Sequence, residues 1–168
     1  VNHEYANLDI NLPQNDEGAP VSEADVRKIQ DAQGVAVFEV AEGENGWEIV
    51  VDSPYNRRIS HNTPMRLTGP AAGHDLLKTE ADPSGTEALG TFNNCGAGRT
   101  PWGTYLTCEE NFNGYFGATG EYDATEGFER YGIGGSGRYA YEQFDPRYDL
   151  SKEPNEPHRH GWGTEIHP

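Results

Sequence analysis

The stretch from Asn93 to Asn113, NNCGAGRTPWGTYLTCEENFN, constrains the fold more than any other part of the chain. Glycine and proline occur four times within eight of its residues, at Gly96, Gly98, Pro101 and Gly103. Because glycine loosens regular structure and proline removes a backbone donor, this spacing excludes an ordinary helix and a long flat strand. The residues TPWGTYLTCEE then predict a turn that leads into a strand. Alternate side chains of that strand would face opposite sides, with Tyr105, Thr107 and Glu109 on one and Thr104, Leu106, Cys108 and Glu110 on the other.

The same stretch is dense in groups that bind metals. It contains both cysteines of the chain and the adjacent pair Glu109 and Glu110. Cys95 and Cys108 lie 13 positions apart without a C-x-x-C pair, which excludes a zinc ribbon. Two interpretations stay open: a disulfide between adjacent strands, or separate roles for Cys95 as a thiolate ligand and Cys108 as a small buried residue. The stretch is therefore either a tight turn with a strand or a metal-binding loop.

The composition predicts an all-β protein with many loops. Only 34% of the 168 residues are hydrophobic, and the chain contains 21 Gly and 11 Pro, which is typical of short strands joined by turns. Ser22–Gln33 is predicted to form the one clear helix, capped by Ser22. The runs VAVFEV and WEIVV predict a hairpin with AEGENG as its turn. RYAYEQF and HGWGTEI predict further strands.

We therefore expect a single domain over residues 1–168, all-β with one short surface helix. A propeller or another all-β architecture would fit short strands of this kind. No internal repeat of constant length is visible, so the spacing of the strands does not by itself identify a propeller.

The charge of the chain limits its partners. With 12 basic and 28 acidic residues, the formal charge is −16. Such a surface repels nucleic acid and anionic membranes, so we expect no binding to nucleic acid. Bound cations would reverse the charge locally and let an acidic chain act on phosphate esters. The sequence contains no signal-peptide pattern and no apolar run near the ~20 residues that span a membrane.

The segment Gly132–Gly137, GIGGSG, matches the glycine pattern of dinucleotide-binding loops. In those proteins a hydrophobic strand precedes the pattern and an amphipathic helix follows it. Neither flank of this segment has that character, so a flexible glycine loop is predicted.

Five stretches of the chain carry a resemblance to a known family. They are NHEY (2–5), SPYNRRIS (53–60), NTPMRLTGPAAGHDLLKT (62–79), NNCGAGRTPWGTYLTCEENF (93–112) and RHGWGTEIHP (159–168). On these residues, and in this order, the chain resembles the PhoX-type alkaline phosphatases. The resemblance implies a β-propeller phosphomonoesterase whose active site holds iron (Fe³⁺) and calcium, exported to the periplasm or outside the cell. Residues 12–33 and 117–157 match the family poorly.

The resemblance also implies a set of metal ligands. The iron thiolate would be Cys95, and the carboxylate of NHEY would be Glu4. The CEEN motif would contribute Glu110 first and Glu109 second, and HGWGTEI would contribute Glu165. Soft thiolate ligands suit iron and oxygen ligands suit calcium, so the residue types agree with these two metals.

Arginine side chains are candidates for binding the phosphate. Arg99, close to Cys95 in the sequence, is predicted to be catalytic, because a guanidinium binds phosphate oxygens with two hydrogen bonds. Arg57, Arg58 and Arg66 are weaker candidates that could instead pair with carboxylates.

The chain departs from the family near Pro168. His167 stands where the family usually has Asp. The family's later half, with further blades, another Glu ligand and an Arg, has no counterpart in these residues. We therefore expect a domain that is truncated at both ends and forms an incomplete propeller. Either self-assembly or a missing C-terminal half would complete it.

Two other functions remain open at this point. One is a catalytically silent, calcium-stabilised secreted protein that binds partners or assembles on a surface. The other is a disulfide-stabilised secreted domain without a metal. For the enzyme, the expected partners are small phosphate esters.

Overall fold

The computed structural model describes residues 1–168, apart from the side chain of Glu17. The strands are β1 Asn2–His3, β2 Gly34–Val37, β3 Val40–Gly43, β4 Gly46–Ile49, β5 Arg57–Ile59, β6 Pro64–Arg66, β7 Glu87–Leu89, β8 Asn94–Arg99, β9 Tyr105–Glu109 and β10 Gly163–Ile166. The α-helices are α1 Leu8–Asn11, α2 Glu23–Asp31 and α3 Glu126–Tyr131. Short 3-10 helices cover Asp16–Gly18, Asp75–Leu77, Phe112–Tyr115, Tyr141–Gln143, Pro146–Tyr148 and Glu156–Arg159.

Within these residues the strands form small antiparallel sheets. One sheet has the order β1–β2–β5, another has the order β10–β9–β8, and β3–β4 and β6–β7 are two-stranded. A mostly β chain with few helices is therefore confirmed. The described strands form no closed barrel or propeller.

Helix α2 is the helix that the sequence predicts. The Ser22 hydroxyl accepts a hydrogen bond from the Asp25 backbone N–H at 3.2 Å, which satisfies one of the donors that a helix start leaves free. Val26 and Ile29 lie on one face and are buried. The helix ends at Asp31 rather than at Gln33. None of the helices in the described residues is long and apolar enough to cross a membrane.

The predicted hairpin is present, but its strands and its turn have different bounds from those predicted. Its strands are β3 and β4, so only Glu44 and Asn45 form the turn. The run VAVFEV divides, because its first three residues belong to β2 and pair with β5 instead.

The strand predicted for RYAYEQF is wrong. Tyr141–Gln143 forms a 3-10 helix, preceded by Ala140 in the left-handed region at φ +52°. Both Tyr139 and Tyr141 are buried. The alternation of tyrosine with other residues therefore arises from aromatic burial in the core and not from a pleated strand.

The side chains of β9 alternate as predicted. Thr107 is buried and its neighbours Leu106 and Cys108 are exposed. HGWGTEI forms β10, which pairs antiparallel with β9. One face of this sheet therefore packs inward, while the other face is open.

Strand β8 pairs irregularly with β9. It pairs Asn94 with Glu109 but Ala97 with Thr107, so the register shifts between these pairs. Three steps along β8 oppose two along β9, which is the count of a β-bulge. Cys95 lies in this bulge.

The main core is aromatic and lies outside the sheets. It consists chiefly of residues from α2, the segment before β8 and the glycine- and tyrosine-rich region after β9, namely Leu12, Val26, Ile29, Phe92, Tyr115, Phe116, Phe128, Tyr139, Tyr141, Tyr148 and Leu150. Its rings pack at tilted and edge angles; Tyr141 and Tyr148, for example, have centroids 5.1 Å apart at 73°. Such geometry is favourable for aromatic pairs. This core supports the ends of β8 and β9 where the candidate site lies.

Candidate metal centre

Three side chains of metal-ligand type converge at the bulge of β8. Glu4 follows β1, Cys95 lies in β8, and Glu110 directly follows β9. Each has a ligand atom, Sγ of Cys95 or a carboxylate oxygen, and these atoms all lie within 4.8 Å of one another. Protein sulfur and oxygen ligands lie about 2–2.6 Å from a metal, so atoms at this spacing could share one ion. We refer to these three residues as the metal-site trio.

Strand pairing explains why residues so far apart in the chain meet. Because β8 and β9 are antiparallel, the start of β8 lies beside the end of β9, and the Glu110 N–H donates to the Asn93 carbonyl at 2.9 Å. β1 reaches the same place through Asn2, whose side-chain amide donates to the Cys95 carbonyl at 3.1 Å. Asn2 also accepts from the Tyr105 hydroxyl at 3.0 Å. These contacts hold together the three chain segments that carry the trio.

Two asparagines with left-handed backbone flank the trio. Asn93 has φ +50° and Asn111 has φ +49°. This conformation is uncommon for residues other than glycine, and asparagine tolerates it better than most. Backbone of this kind persists where surrounding contacts enforce it. Here the Asn111 amide donates to the Tyr5 hydroxyl at 2.9 Å, which connects the residue after Glu110 to the residue after Glu4.

The trio is electrostatically unfavourable without a cation. A hydrogen bond with Glu110, followed by burial and the negative charges of Glu110 and Glu4, raises the pKa of the Cys95 thiol to about 11. Two carboxylates and a thiolate so close together repel one another. A bound cation would reverse this effect and favour the thiolate. The arrangement therefore fits a metal site better than it fits a free reactive thiol.

Glu109 lies on the opposite side of β9 from the trio. Its carboxylate accepts a hydrogen bond from the Gly161 N–H at 2.7 Å and lies 3.7 Å from Nδ1 of His160. His160 Nε2 is 3.2 Å from the Glu156 carboxylate. Burial alone would lower the pKa of His160, but its hydrogen bonds to Glu109 and Glu156 outweigh burial and raise it. Glu109 is thus one of two carboxylates that contact the buried His160.

Glu165 and Arg99 lie farther along the sheet. Glu165 pairs with Leu106 in β9. Leu106 comes four residues before Glu110, and four residues of a strand span about 13 Å. Its carboxylate accepts hydrogen bonds from Trp102 Nε1, at 2.7 Å, and from the Thr104 hydroxyl. Arg99 pairs with Tyr105, one residue farther away. The structure therefore does not bring these two predicted residues to the trio, and their functional roles remain predictions.

The cysteines are both free and exposed. Cys108 lies on the open face of β9, opposite Gly163 in register. The disulfide interpretation is therefore not the arrangement of this structure, and Cys108 is not the buried residue that the alternative assumed.

An apolar cleft lies on the Glu109 side of the sheet. It has a volume of about 370 Å³, and Phe112, His158 and Trp162 are among the residues that line it. Its size suits a small molecule. The trio contributes no side chain to its lining, so we place the candidate chemistry at the trio and not in this cleft.

The whole chain, residues 1–168, matches the sequence profile of the family described as alkaline phosphatase PhoX. The chain belongs to the PhoX alkaline phosphatase family. The family prediction made from the five sequence stretches is thereby confirmed.

A solved structure also supports the family assignment. This PhoX-family chain is similar to Pseudomonas fluorescens PhoX in complex with vanadate, a transition state analogue, with 48% identity and a TM-score of 0.93. The match covers 98% of this chain and 28% of that chain. No curated protein was found to match.

The sequence analysis of this PhoX-family chain missed three residues beside the trio. Tyr5 and Asn111 lie within the family stretches, each directly after a predicted ligand, but neither is a ligand type. Arg138 lies outside the five family stretches, and its guanidinium carbon is 5.1 Å from the centroid of the Tyr5 ring. Only the fold brings residue 138 to residue 5, so no local pattern could have indicated it.

Proposed function

We propose that the protein to which this chain belongs is a metal-dependent phosphomonoesterase, and that Glu4, Cys95 and Glu110 hold part of its metal cluster. The observation that supports this proposal is the convergence of these three residues, with ligand atoms within 4.8 Å of one another, in a PhoX-family chain. The convergence of the residues and the family membership are both necessary. Exposed acidic residues often lie close together without a metal, and a family fold does not by itself establish activity.

The donor set fits the two metals that the family resemblance implies. One thiolate and two carboxylates suit iron, and carboxylate oxygens can also bind calcium. When bound, such cations bind phosphate oxygens and neutralise the charge that develops during displacement of the alcohol. They would also explain how a chain of formal charge −16 binds an anionic substrate.

The residues of this chain prepare the site by their fixed positions. Cys95 is held by the bulge of β8 and by the hydrogen bond from Asn2 to its carbonyl. Glu110 is directed to the trio because Glu109, its neighbour, is anchored on the other side by Gly161. Preorganised ligands of this kind need little rearrangement when a metal binds.

The proposal extends to the other predicted site residues. Glu165 and Glu109 would be ligands, and Arg99 would bind phosphate, in a site that extends beyond the trio. The chain spans 28% of the Pseudomonas fluorescens protein, and we propose that its small sheets form part of a propeller. We also propose, from the resemblance, that the protein works in the periplasm or outside the cell.

The test uses the native full-length protein, with metal analysis and hydrolysis of p-nitrophenyl phosphate. We expect bound iron and calcium and release of phosphate. Cys95→Ala should remove the iron and lower hydrolysis by at least about tenfold, since even indirect partners of a metal site cost 10–100-fold. Cys108→Ala is the matched control, because Cys108 is also free and exposed on the same sheet.

The outcomes separate the hypotheses. Native protein without metal or phosphatase activity would contradict the enzyme and favour the silent binding protein. Iron retained in Cys95→Ala would contradict only the assignment of the thiolate.

A further inference from the structure

Arg138 is held against two tyrosine rings. Its guanidinium carbon lies 5.1 Å from the ring centroid of Tyr5 and 5.6 Å from that of Tyr139. Tyr139 is buried, and the backbone N–H of Arg138 donates to the Gly114 carbonyl. The side chain of Arg138 is exposed. A cation over two ring faces is attracted by both, so this arginine has a defined position on the surface.

Arg138 packs on Tyr5, the residue that directly follows Glu4 of the metal-site trio. Tyr5 directly follows Glu4, and its hydroxyl accepts a hydrogen bond from Asn111, which directly follows Glu110. Tyr5 therefore connects the chain just after Glu4 to the chain just after Glu110, and Arg138 packs on Tyr5. The charges of Arg138 and Glu4 both act on Tyr139: burial raises the pKa of Tyr139, the charge of Arg138 lowers it, and the charge of Glu4 raises it.

The guanidinium of Arg138 is free to bind an anion. Among the described residues it has no carboxylate within 4.0 Å and donates no side-chain hydrogen bond. Its contacts with the two tyrosine rings use none of its N–H groups in a hydrogen bond to oxygen, so these donors are available.

We propose that Arg138 is a substrate-binding residue whose guanidinium edge donates two hydrogen bonds to phosphoryl oxygens of a phosphate monoester at the trio. This inference rests on the proposed function. A planar guanidinium matches two phosphate oxygens, and its positive charge would offset the acidic surroundings of the substrate.

The experiment measures binding of inorganic phosphate to the metal-loaded native protein by isothermal titration calorimetry. Arg138→Ala should weaken the phosphate Kd about tenfold or more, because it removes charge-assisted hydrogen bonds, while the metal content stays the same. Arg138→Lys should fall between the two, since lysine keeps the charge but not the paired donors. The matched control is Arg130→Ala, which removes an exposed arginine from the last turn of α3.

Two results would overturn the inference. One is an Arg138→Ala protein that keeps its metals and binds phosphate as tightly as the parent. The other is loss of the metals in both Arg138→Ala and Arg138→Lys, because Arg138 would then act on assembly of the site. If the parent itself holds no metal and hydrolyses no ester, it is the proposed function that fails.

Discussion

Cys95 illustrates how neighbouring residues decide the chemistry of a side chain. Glu110 and Glu4 both favour its protonated form, and Glu110 has the larger effect. An ordinary thiol would be partly ionised at mildly alkaline pH, whereas the raised pKa of Cys95, about 11, keeps it protonated at the same pH when no cation is present. A metal must therefore displace the proton, so metal uptake should be favoured as the pH rises.

We predict that Glu110→Gln lowers the pKa of the Cys95 thiol from about 11 toward its ordinary value of 9.0, because a neutral amide replaces the charged carboxylate that interacts with the thiol. Glu4→Gln should lower it less. The measurement is the alkylation rate of metal-free protein against pH, with Cys108→Ser in every variant so that Cys95 alone reacts.

Glu129→Gln is the control for that series, since Glu129 is an exposed residue of α3. An unchanged thiol pKa in Glu110→Gln would show that burial, and not Glu110, sets the reactivity of Cys95.

At the scale of elements, the site depends on how short strands meet. Gly34 lies at the end of the α2 segment and begins β2, which pairs with β1 on one side and β5 on the other. Its φ is +110°, and a Cβ atom there would overlap the Ile59 carbonyl oxygen across the β2–β5 pair. Only glycine fits both the backbone conformation and the close approach.

Gly34→Ala should therefore destabilise the protein strongly, by about 3 kcal/mol or more, since overlap with backbone and a disfavoured φ act together. The matched variant is Gly98→Ala, because Gly98 lies in β8 with no atom near its added Cβ and no positive φ. Urea unfolding of the two proteins gives the comparison. Equal stability of both would contradict the role assigned to Gly34.

At the scale of the whole molecule, the core connects α2 to the candidate site. The hydroxyl of Tyr115 lies 2.6 Å from Oε1 of Gln33, just after α2, and 2.7 Å from Oδ1 of Asn93, just before β8. All three residues are buried. Buried polar groups are costly unless they are hydrogen-bonded, so this contact fixes the chain immediately before Cys95.

Tyr115→Phe should lower the free energy of unfolding by about 1–3 kcal/mol, because Gln33 and Asn93 would lose a hydrogen-bond partner inside the core. Tyr122→Phe serves as the comparison, since among the described residues the Tyr122 hydroxyl has no hydrogen-bond partner. The two unfolding free energies, measured in urea, decide the matter. A loss of the same size in Tyr122→Phe would mean that the Tyr115 hydroxyl has no special role.

The sequence by itself determined the family, the mostly β character and the helix with its Ser22 cap, because these depend on local patterns and on motifs that lie intact in the chain. It also predicted that Glu109 and Glu110 face opposite sides of β9, since side chains alternate along a strand. It could not predict which of them turns outward, because that depends on pairing register and burial. The tertiary structure decided this: His160 and Gly161 meet Glu109, which leaves Glu110 to join Glu4 and Cys95. It also placed Arg138 on Tyr5, a contact between residues 133 positions apart that only the packed core could create.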